Sequence, residues 1–329
     1  MNQTKLVAPQ AALPKIVVLD SQTLDMDLSL IGGLGELTEY ALTAPCETAG
    51  RIMNADIVLT NKVELGAAEM DAAPSLKLIG LFATGYNMID INAAKERGIV
   101  VSNVAGYSTD SVVQHVFGLL TGLASGICCH GRAVEEGEWE RAETFCFWKR
   151  PTIELAGKVM GIVGFGDIGS GVARVANAFG MQVHAYAPRP KPKPGFEPFR
   201  FVELDELFRE SDFISLNCPL TSETAGMINA DSLGKMKKSA YLINCSRGEL
   251  VNEMDLRKAL DDGVIAAAGL DVTAEEPMPR TSPLFGAPNC LITPHTAWAT
   301  VEARERLLKG VLCNIRNFLD GRPSNVVNP

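Results

Sequence analysis

An arginine, a glutamate and a histidine in the C-terminal half of the chain could together exchange a proton beside an anionic substrate. Arg247, Glu276 and His295 each come after an apolar, strand-like run, in the segments AYLINCSRG, IAAAGLDVTAEEP and NCLITPH. In an open parallel sheet, ligands bind in the crevice outside the carboxyl ends of the strands, so we expect these side chains to converge there. A guanidinium can hold a carboxylate with two hydrogen bonds, and a carboxylate beside an imidazole favours its protonated form. This combination suits a hydride transfer that is coupled to a proton transfer.

Each of the three residues also has a simpler interpretation. His295 could cap an element or fill the core, Glu276 beside Glu275 could be a solvated surface charge, and Arg247 before Gly248 could bridge two loops. Three complementary side chains on three successive strand ends favour the functional interpretation when they are taken together. The other histidines lie in helix or strand patterns and are interpreted as structural: His115, His130 and His184.

A glycine-rich turn precedes these residues in the chain. Gly164, Gly166 and Gly169 follow the apolar run KVMGIV and open an Ala/Val-rich helical segment, which is the context of a dinucleotide-binding fingerprint. The first glycine allows the tight turn, the second allows the backbone to approach a diphosphate, and the third allows close packing of helix on strand. The N–H groups around Asp167 and Ile168 are then expected to face the phosphates. A merely flexible turn is the alternative, but strand, spacing and helix all favour dinucleotide binding.

The end of the next predicted strand bears on the choice of dinucleotide. NAD enzymes place an acidic residue there for the ribose 2'-hydroxyl group, whereas this chain has Ala187. Arg189 follows, with Lys191 and Lys193 beyond it, so positive charge is available where a 2'-phosphate would lie. The sequence predicts NAD(P) as cofactor, with a preference for NADP(H). A solvated loop is nearly as good an interpretation of Lys191 and Lys193, but a poorer one of Arg189.

Strand-like runs alternate with helical patterns along all 329 residues, which predicts α/β architecture with parallel sheets in two domains. A long helix is predicted from Ser108 to about His130, capped by Ser108 or Asp110. Its predicted buried side consists of Val112, Val113, Val116, Leu119, Leu120 and Leu123. Strands are predicted at 15–20, 55–60, 76–82, 99–103, 158–163, 181–187, 212–218, 240–246, 265–272 and 289–295, and a final helix at about 300–320.

The bulk composition favours small-molecule chemistry. The chain is 47% hydrophobic and 21% charged, and its net charge of -9 disfavours nucleic acid or an anionic membrane as the main partner. The cysteines show no metal-binding spacing, so we expect buried, free thiols, no metal site and a reducing, cytoplasmic location. The segment from Met1 to Pro14 lacks the pattern of a signal peptide, and no apolar run is long enough for a transmembrane helix.

Five segments together resemble the D-isomer-specific 2-hydroxyacid dehydrogenases. They are GFGDIG, NCPLTSETAGMI, INCSRGELVNE, GLDVTAEEP and TPH, and the resemblance covers nearly the whole chain. Within that family, LFATGYNMID, NVAGYSTDSVVQH and FCFWKRPTIELAGK are most similar to the glycerate dehydrogenase/hydroxypyruvate reductase branch. The resemblance implies a Rossmann-type dinucleotide-binding domain, at residues 104–295, and a flavodoxin-like substrate domain. The substrate domain is discontinuous, at residues 1–103 and 296–329, and the substrate is expected in the cleft between the domains.

The resemblance also implies an activity and a role for each residue. The implied reaction is NAD(P)H-dependent reduction of hydroxypyruvate or glyoxylate to the D-2-hydroxy acid, and the reverse oxidation. Arg247 would hold the carboxylate and carbonyl oxygens of the substrate, Glu276 would pair with the imidazole, and His295 would exchange the proton. A homodimer is implied, formed through the helix that begins at Ser108.

Further site residues follow from the same resemblance. The backbone of Thr84 and Gly85 would bind the substrate carboxylate, and Lys62 could add charge nearby. Trp148 could shape the substrate pocket, although an aromatic interface or core anchor is as good an interpretation. The positions that match the cofactor site are Asp271 at the nicotinamide amide group, Cys218, Pro219 and Thr224 on the adenine side, and Cys245 and Thr109 near the nicotinamide.

Two other functions are compatible with these motifs. A phosphoglycerate dehydrogenase would share the same three residues, although many such enzymes carry a C-terminal regulatory domain for which a chain ending at Pro329 has no room. A non-catalytic NAD(H)-sensing protein, similar to the transcriptional corepressors of the family, can also retain them. A formate dehydrogenase is disfavoured, because that group has Gln in place of Glu276.

Overall fold

A computed structural model describes residues 12–329, which form two compact units. One unit contains the described residues up to Tyr107 together with Val301–Pro329, and the other is Ser108–Thr300. Most of the N-terminal segment considered for a signal peptide lies outside the described residues. Which unit binds the substrate, and the predicted boundaries at 103/104 and 295/296, remain predictions.

The first unit contains a five-stranded parallel sheet with the order β2-β1-β3-β4-β5. Its strands are β1 (Lys15–Val18), β2 (Glu36–Glu39), β3 (Ile57–Thr60), β4 (Leu78–Leu81) and β5 (Val100–Ser102), and its first helices are α1 (Pro45–Ile52), α2 (Ala67–Asp71) and α3 (Ile91–Glu96). This is the flavodoxin-like order that was predicted. All residues of β3 and β4 are buried, which explains why these two strands are continuous apolar runs.

The second unit contains a seven-stranded parallel sheet with the order β12-β11-β10-β9-β6-β7-β8. It begins with α4 (Thr109–Ser125), α5 (Ile127–Glu135), β6 (Val159–Val163), α6 (Asp167–Ala178), β7 (Gln182–Tyr186), β8 (Phe199–Phe201) and α7 (Leu204–Glu210). It continues with β9 (Phe213–Leu216), α8 (Ala230–Lys235), β10 (Tyr241–Asn244), α9 (Glu253–Asp261), β11 (Ala267–Leu270) and β12 (Cys290–Ile292); α10 (Val301–Leu319) then belongs to the first unit. The strand order reverses between β6 and β9, as in a Rossmann-type fold, so the predicted fold class is confirmed.

Helices cover both faces of the seven-stranded sheet. On one face, Val116 and Leu120 of α4 and Val172 of α6 pack in a cluster with Ile162 and Ile243 of the sheet. On the other face, the core contains side chains of α7 and α9 with alternate residues of β9 and β10: Leu207, Leu256, Ile214 and Leu242. Successive side chains in a strand point to opposite faces, so each buried strand supplies both cores.

The long helix predicted from Ser108 to His130 is not continuous. It divides at Gly126, which has φ of +64°, into α4 and α5. Ser108 occupies the position before α4 but makes no capping hydrogen bond, and Asp110 lies inside the first turn, so the predicted cap is wrong. The predicted buried face of α4 is confirmed.

No single helix among residues 12–329 is long and apolar enough to span a membrane; α4 and α5 meet that criterion only as a pair, bent by 61°.

Two strands and the burial of several thiols were not predicted correctly. The missed strands β2 and β8 lie at the edges of their sheets, and β2 has no fully buried residue, so it lacks a clear apolar pattern. All eight cysteines are free, but Cys46, Cys128 and Cys313 are exposed rather than buried. The prediction of buried thiols is therefore wrong for these three, because each lies on the solvent-facing side of an amphipathic helix.

Candidate active site

The turn between β6 and α6 has the geometry of a diphosphate-binding loop. Gly164 has φ of +93°, and a Cβ atom there would lie 2.5 Å from the Asn217 carbonyl oxygen. A Cβ atom at Gly169 would lie 2.1 Å from the Gly164 carbonyl oxygen, so helix and turn are in close contact. A Cβ atom at Gly166 would meet nothing within 4 Å. Open space therefore lies beside the second glycine, where a diphosphate would approach the backbone.

The first turn of α6 has backbone N–H groups that lie outside the helical hydrogen-bond pattern. The first helical hydrogen bond runs from Ser170 N–H to the Gly166 carbonyl, so the N–H groups of Asp167 and Ile168 precede the helical ladder. The positive end of the helix dipole lies at the same place and favours a bound anion. These features fit a dinucleotide, although the individual contacts of this loop stay predictions.

The loop after β9 lies against the glycine turn. A Cβ atom at Gly164 would lie 2.8 Å from Cys218 N, which shows how closely the two segments approach. Burial raises the pKa of the Cys218 thiol. Thr224 donates from Oγ1 to the Pro219 carbonyl oxygen at 2.7 Å and so closes this loop. The structure thus places Cys218, Pro219 and Thr224 in one loop at the carboxyl edge of the sheet, and their contact with adenine remains a prediction.

The segment after β7 carries positive charge and no carboxylate. Ala187 is half-buried against the core of the second unit. Arg189, Lys191 and Lys193 are all exposed. The position at which an NAD enzyme places an acidic residue is therefore occupied by a small apolar residue, followed by exposed basic side chains.

Arg247, Glu276 and His295 follow three neighbouring strands. In the sheet, Asn244 of β10 pairs with Leu270 of β11, and Leu270 pairs with Ile292 of β12. Neighbouring strands lie about 4.8 Å apart, so the turns after these paired residues begin side by side.

His295 and Glu276 are in direct contact. His295 Nδ1 lies 2.6 Å from Glu276 Oε2, and the N–H group of Thr273 donates to the other carboxylate oxygen at 3.1 Å. Both oxygens of the glutamate are therefore engaged, which fixes its orientation toward the imidazole. The bond at Nδ1 leaves Nε2 of His295 as the atom that can exchange a proton with a substrate.

A hydrogen bond from a buried side chain holds the turn that carries Arg247, and this turn contacts the segment before Glu276. Asn244, fully buried, donates from Nδ2 to the Arg247 carbonyl oxygen at 2.7 Å. A Cβ atom at Gly248 would lie 2.0 Å from the Thr273 carbonyl carbon, so only glycine allows these two turns to touch. The Arg247 guanidinium is half-buried and donates to the Ser246 carbonyl oxygen at 2.7 Å.

Asp271 is buried, and its carboxylate is hydrogen-bonded to the two residues that follow His295. The residue is 1% exposed, and its carboxylate accepts the N–H groups of Thr296 at 3.0 Å and Ala297 at 2.7 Å. Burial acts to raise the pKa of Asp271, but hydrogen bonds from His115, Thr293 and these two N–H groups lower it, so the group is ionised. The predicted contact with the nicotinamide amide remains a prediction.

Three further residues of the second unit were predicted to lie near the cofactor or the substrate: Cys245, Thr109 and Trp148. Burial, with the charge of Asp271 nearby, raises the pKa of the Cys245 thiol, so Cys245 is not a nucleophile at neutral pH. Thr109 begins α4 and is half-buried. Trp148 is 71% exposed, which excludes the alternative that it is a core anchor within the chain.

Three predicted substrate residues belong to the first unit. Thr84 is exposed, and its Oγ1 atom donates to the Val104 carbonyl oxygen at 2.9 Å. Gly85 is half-buried in the same loop, whereas Lys62 is exposed, with its N–H group donating to Asp20. Their role in substrate binding stays a prediction.

Sequence reasoning missed the residues that hold the Arg247, Glu276 and His295 segments in place. Asn244 and Thr273 position the Arg247 and Glu276 turns. Ser111 donates to the Ala297 carbonyl oxygen, and Thr293, two residues before His295, donates to Asp271. Thr293 and Asn244 lie at strand ends, where a small polar residue after an apolar run could have indicated a turn-bracing role. Ser111 in a helix gave no such signal.

The Rossmann-type sheet, the open glycine turn and the paired His295 and Glu276 define a pyridine-nucleotide-dependent oxidoreductase. The family model for the D-isomer specific 2-hydroxyacid dehydrogenase NAD-binding domain matches residues 117–297. The chain is 45% identical to a hydroxypyruvate reductase of Blautia hydrogenotrophica over 320 residues, which are 95% of this chain and 99% of that protein. It is 39% identical to a glycerate dehydrogenase of Methylorubrum extorquens over 316 residues, with 95% and 98% coverage.

A solved structure gives the same result. The chain is similar to an NADPH-dependent glyoxylate/hydroxypyruvate reductase from Sinorhizobium meliloti in complex with NADP and malonate, with a TM-score of 0.84 and 28% identity. The match covers 96% of this chain and 97% of that one. The protein belongs to the D-isomer-specific 2-hydroxyacid dehydrogenase family, as its motifs predicted.

Proposed function

We propose that this protein reduces a short 2-oxo acid to the D-2-hydroxy acid with NAD(P)H, and catalyses the reverse oxidation. Hydroxypyruvate is the first candidate substrate and glyoxylate the second, with D-glycerate and glycolate as products. The observation that carries the proposal is the 2.6 Å contact between His295 Nδ1 and Glu276 Oε2 at the carboxyl end of the nucleotide-binding sheet. The names of the similar hydroxypyruvate reductase and glycerate dehydrogenase support the substrate class.

The chain supplies the binding, orientation and proton transfer for this reaction. A bound nicotinamide supplies or accepts the hydride. Arg247 holds the carboxylate and carbonyl oxygens of the acid, because its planar fork offers two parallel donors. Glu276 holds the imidazole of His295 at Nδ1, and His295 donates its Nε2 proton to the substrate oxygen as negative charge develops there.

Turnover assays test the proposed function. Hydroxypyruvate, glyoxylate, pyruvate and 3-phosphohydroxypyruvate are each offered with NADH and with NADPH, and oxidation of the cofactor is followed by its absorbance. We expect the highest kcat/KM with hydroxypyruvate. A clear preference for 3-phosphohydroxypyruvate would favour a phosphoglycerate dehydrogenase, and no turnover with any acid would favour a NAD(H)-sensing binding protein.

A preference for NADP(H) is the second part of the proposal, and Arg189 is the residue that carries it. Its exposed guanidinium lies beyond Ala187, where an NAD enzyme would place a carboxylate. Hydrogen bonds to charged groups contribute about 1.5–3 kcal/mol, so Arg189→Ala is expected to lower kcat/KM for NADPH about 10- to 100-fold. The value for NADH should change little, since NADH has no 2'-phosphate.

Matched variants separate this effect from a general change of the loop. Lys193→Ala removes an exposed charge from the same loop and should have the smaller effect. Ala187→Asp introduces the missing carboxylate and should move the preference toward NADH. A wild-type enzyme that strongly prefers NADH and is unaffected by Arg189→Ala would contradict the NADP(H) proposal.

A homodimer is the third part of the proposal. Large apolar side chains are exposed along the segment from α5 to Trp148, where Phe145 is 88% exposed. Together with His130 they surround a surface cavity of about 300 Å³. A contiguous apolar surface of this kind typically marks a protein interface, and a second copy of the chain is the partner that the resemblance implies.

The oligomeric state is tested with Phe145→Asp. Burial of one phenylalanine contributes about 1.5–3 kcal/mol, and a two-fold interface contains this residue from both subunits. The dissociation constant of the dimer should therefore rise at least about 100-fold. Analytical ultracentrifugation of a dilution series measures the change. Phe285→Asp, at an exposed site outside this segment, is the control and should leave the association unchanged. A monomeric wild-type protein would exclude the dimer.

The proposed location is the cytoplasm. All eight cysteines are free, as in proteins of a reducing compartment. Burial raises the pKa of Cys290 to about 12, so this thiol stays protonated and unreactive at neutral pH.

A further inference from the structure

A polar network connects helix α4 to the segment that carries His295. His115 Nε2 lies 2.8 Å from Thr293 Oγ1 and 3.3 Å from Asp271 Oδ1. Ser111 Oγ donates to the Ala297 carbonyl oxygen at 2.5 Å. Residues four apart on a helix lie on the same face, so Ser111 and His115 contact the two ends of one short segment, 293–297. His295 lies between those two ends.

The hydrogen bonds determine which atom of the network carries each proton. Thr293 has a single hydroxyl proton, and its Oγ1 atom lies 2.6 Å from the ionised Asp271 carboxylate, so the proton points to Asp271. The contact between His115 Nε2 and Thr293 Oγ1 then requires the proton on Nε2 of His115. His115 is thus a donor at Nε2, and a side chain without a donor at this position could not replace it.

The backbone of the segment that this network holds has an unfavourable conformation at His295. His295 has φ of +54°, in the left-handed region that residues with a Cβ atom rarely adopt. Such a conformation persists only where its surroundings enforce it. The N–H group of His295 donates to the Asp271 carbonyl oxygen at 2.8 Å, and the next two N–H groups donate to the Asp271 carboxylate. Asp271 therefore fixes the backbone that directs the imidazole toward Glu276.

We propose that His115 is a positioning residue for the proton transfer, because it holds Thr293 and Asp271 in the arrangement that keeps His295 against Glu276. This inference rests on the proposed function of His295 as the proton donor. The sequence had indicated only a structural role for His115, since it lies within a helical pattern. Its Nε2 proton is the feature that the role requires.

Three variants of α4 test this role. His115→Leu removes the donor, whereas His115→Gln retains an N–H donor at a similar reach. Misplacement of a catalytic group by about 1 Å can cost about 100-fold, so His115→Leu should lower kcat about 10- to 100-fold. The KM for the 2-oxo acid and the Kd for the dinucleotide should change less than the kcat, and His115→Gln should recover most of the rate. Gln114→Leu, at an exposed position on the same helix, is the control.

The comparison of kcat with KM, and of the two variants of His115, separates positioning from a merely structural role. A positioning role lowers mainly the kcat in His115→Leu, and the kcat is largely restored in His115→Gln. An equal loss of kcat in both variants, or a change in KM as large as the loss of kcat in His115→Leu, would overturn the proposal.

A readout without catalysis distinguishes this inference from the function itself. Hydrogen exchange of the Thr296 and Ala297 N–H groups should be faster in His115→Leu than in wild type, and close to wild type in His115→Gln. Unchanged exchange in His115→Leu would overturn the positioning role even if the enzyme reduces hydroxypyruvate. Faster exchange in His115→Leu, together with no reduction of any 2-oxo acid by the wild-type protein, would retain the network but reject the proposed function.

Discussion

Replacement of His295 by alanine is expected to lower kcat for 2-oxo acid reduction by about 10²- to 10⁴-fold, the usual contribution of a general acid. Hydride addition places negative charge on the substrate oxygen, and this variant lacks the imidazole that would donate a proton to that oxygen. The glycine turn that would bind the dinucleotide lies on β6 and α6, so the Kd for NADPH should stay near the wild-type value. Steady-state kinetics and titration of NADPH fluorescence measure the two quantities.

Glu276→Gln is the matched variant for this prediction. Glutamine retains a hydrogen-bonding oxygen for His295 Nδ1 but removes the negative charge beside the imidazole. The kcat should therefore fall, but less than in His295→Ala, because the imidazole itself is retained. An unchanged kcat would remove Glu276 from the mechanism, and a fully active His295→Ala enzyme would remove His295.

Arg247→Ala is expected to lower kcat/KM for the 2-oxo acid by about 10²- to 10³-fold or more, the effect of removing one charge-stabilising donor. The substrate KM should also rise, because the same guanidinium binds the ground-state carboxylate. The increase in KM distinguishes this variant from His295→Ala, for which mainly kcat changes. Steady-state kinetics over a wide range of hydroxypyruvate concentrations provide both constants.

Arg247→Lys tests whether geometry or charge is required at this position. An ammonium retains the charge but cannot form two parallel hydrogen bonds with a carboxylate, so only a minor part of the activity should return. The Arg247 turn is held by Asn244 and Gly248, which neither variant changes. Full activity of Arg247→Lys would show that charge alone suffices, and an unchanged KM in Arg247→Ala would place the substrate carboxylate elsewhere.

The sequence by itself determined the fold class and the residue types that are available for binding and catalysis. Strands such as β3, β4 and β10 are buried on both faces, so they are continuous apolar runs that can be recognised locally. The glycine turn was equally predictable, because its spacing reflects a backbone constraint within six residues. The edge strands β2 and β8 were not predictable in this way, since an edge position depends on neighbours elsewhere in the chain.

Only the tertiary structure decided which side chains meet. The contact between Glu276 and His295 joins residues 19 apart, and the contact between His115 and Thr293 joins residues 178 apart. No local pattern encodes such distances, because they follow from the order of β10, β11 and β12 in the sheet and from the packing of α4. For the same reason, His115 was recognised as helical from its sequence, but its Nε2 donor acquired a partner only when the chain folded.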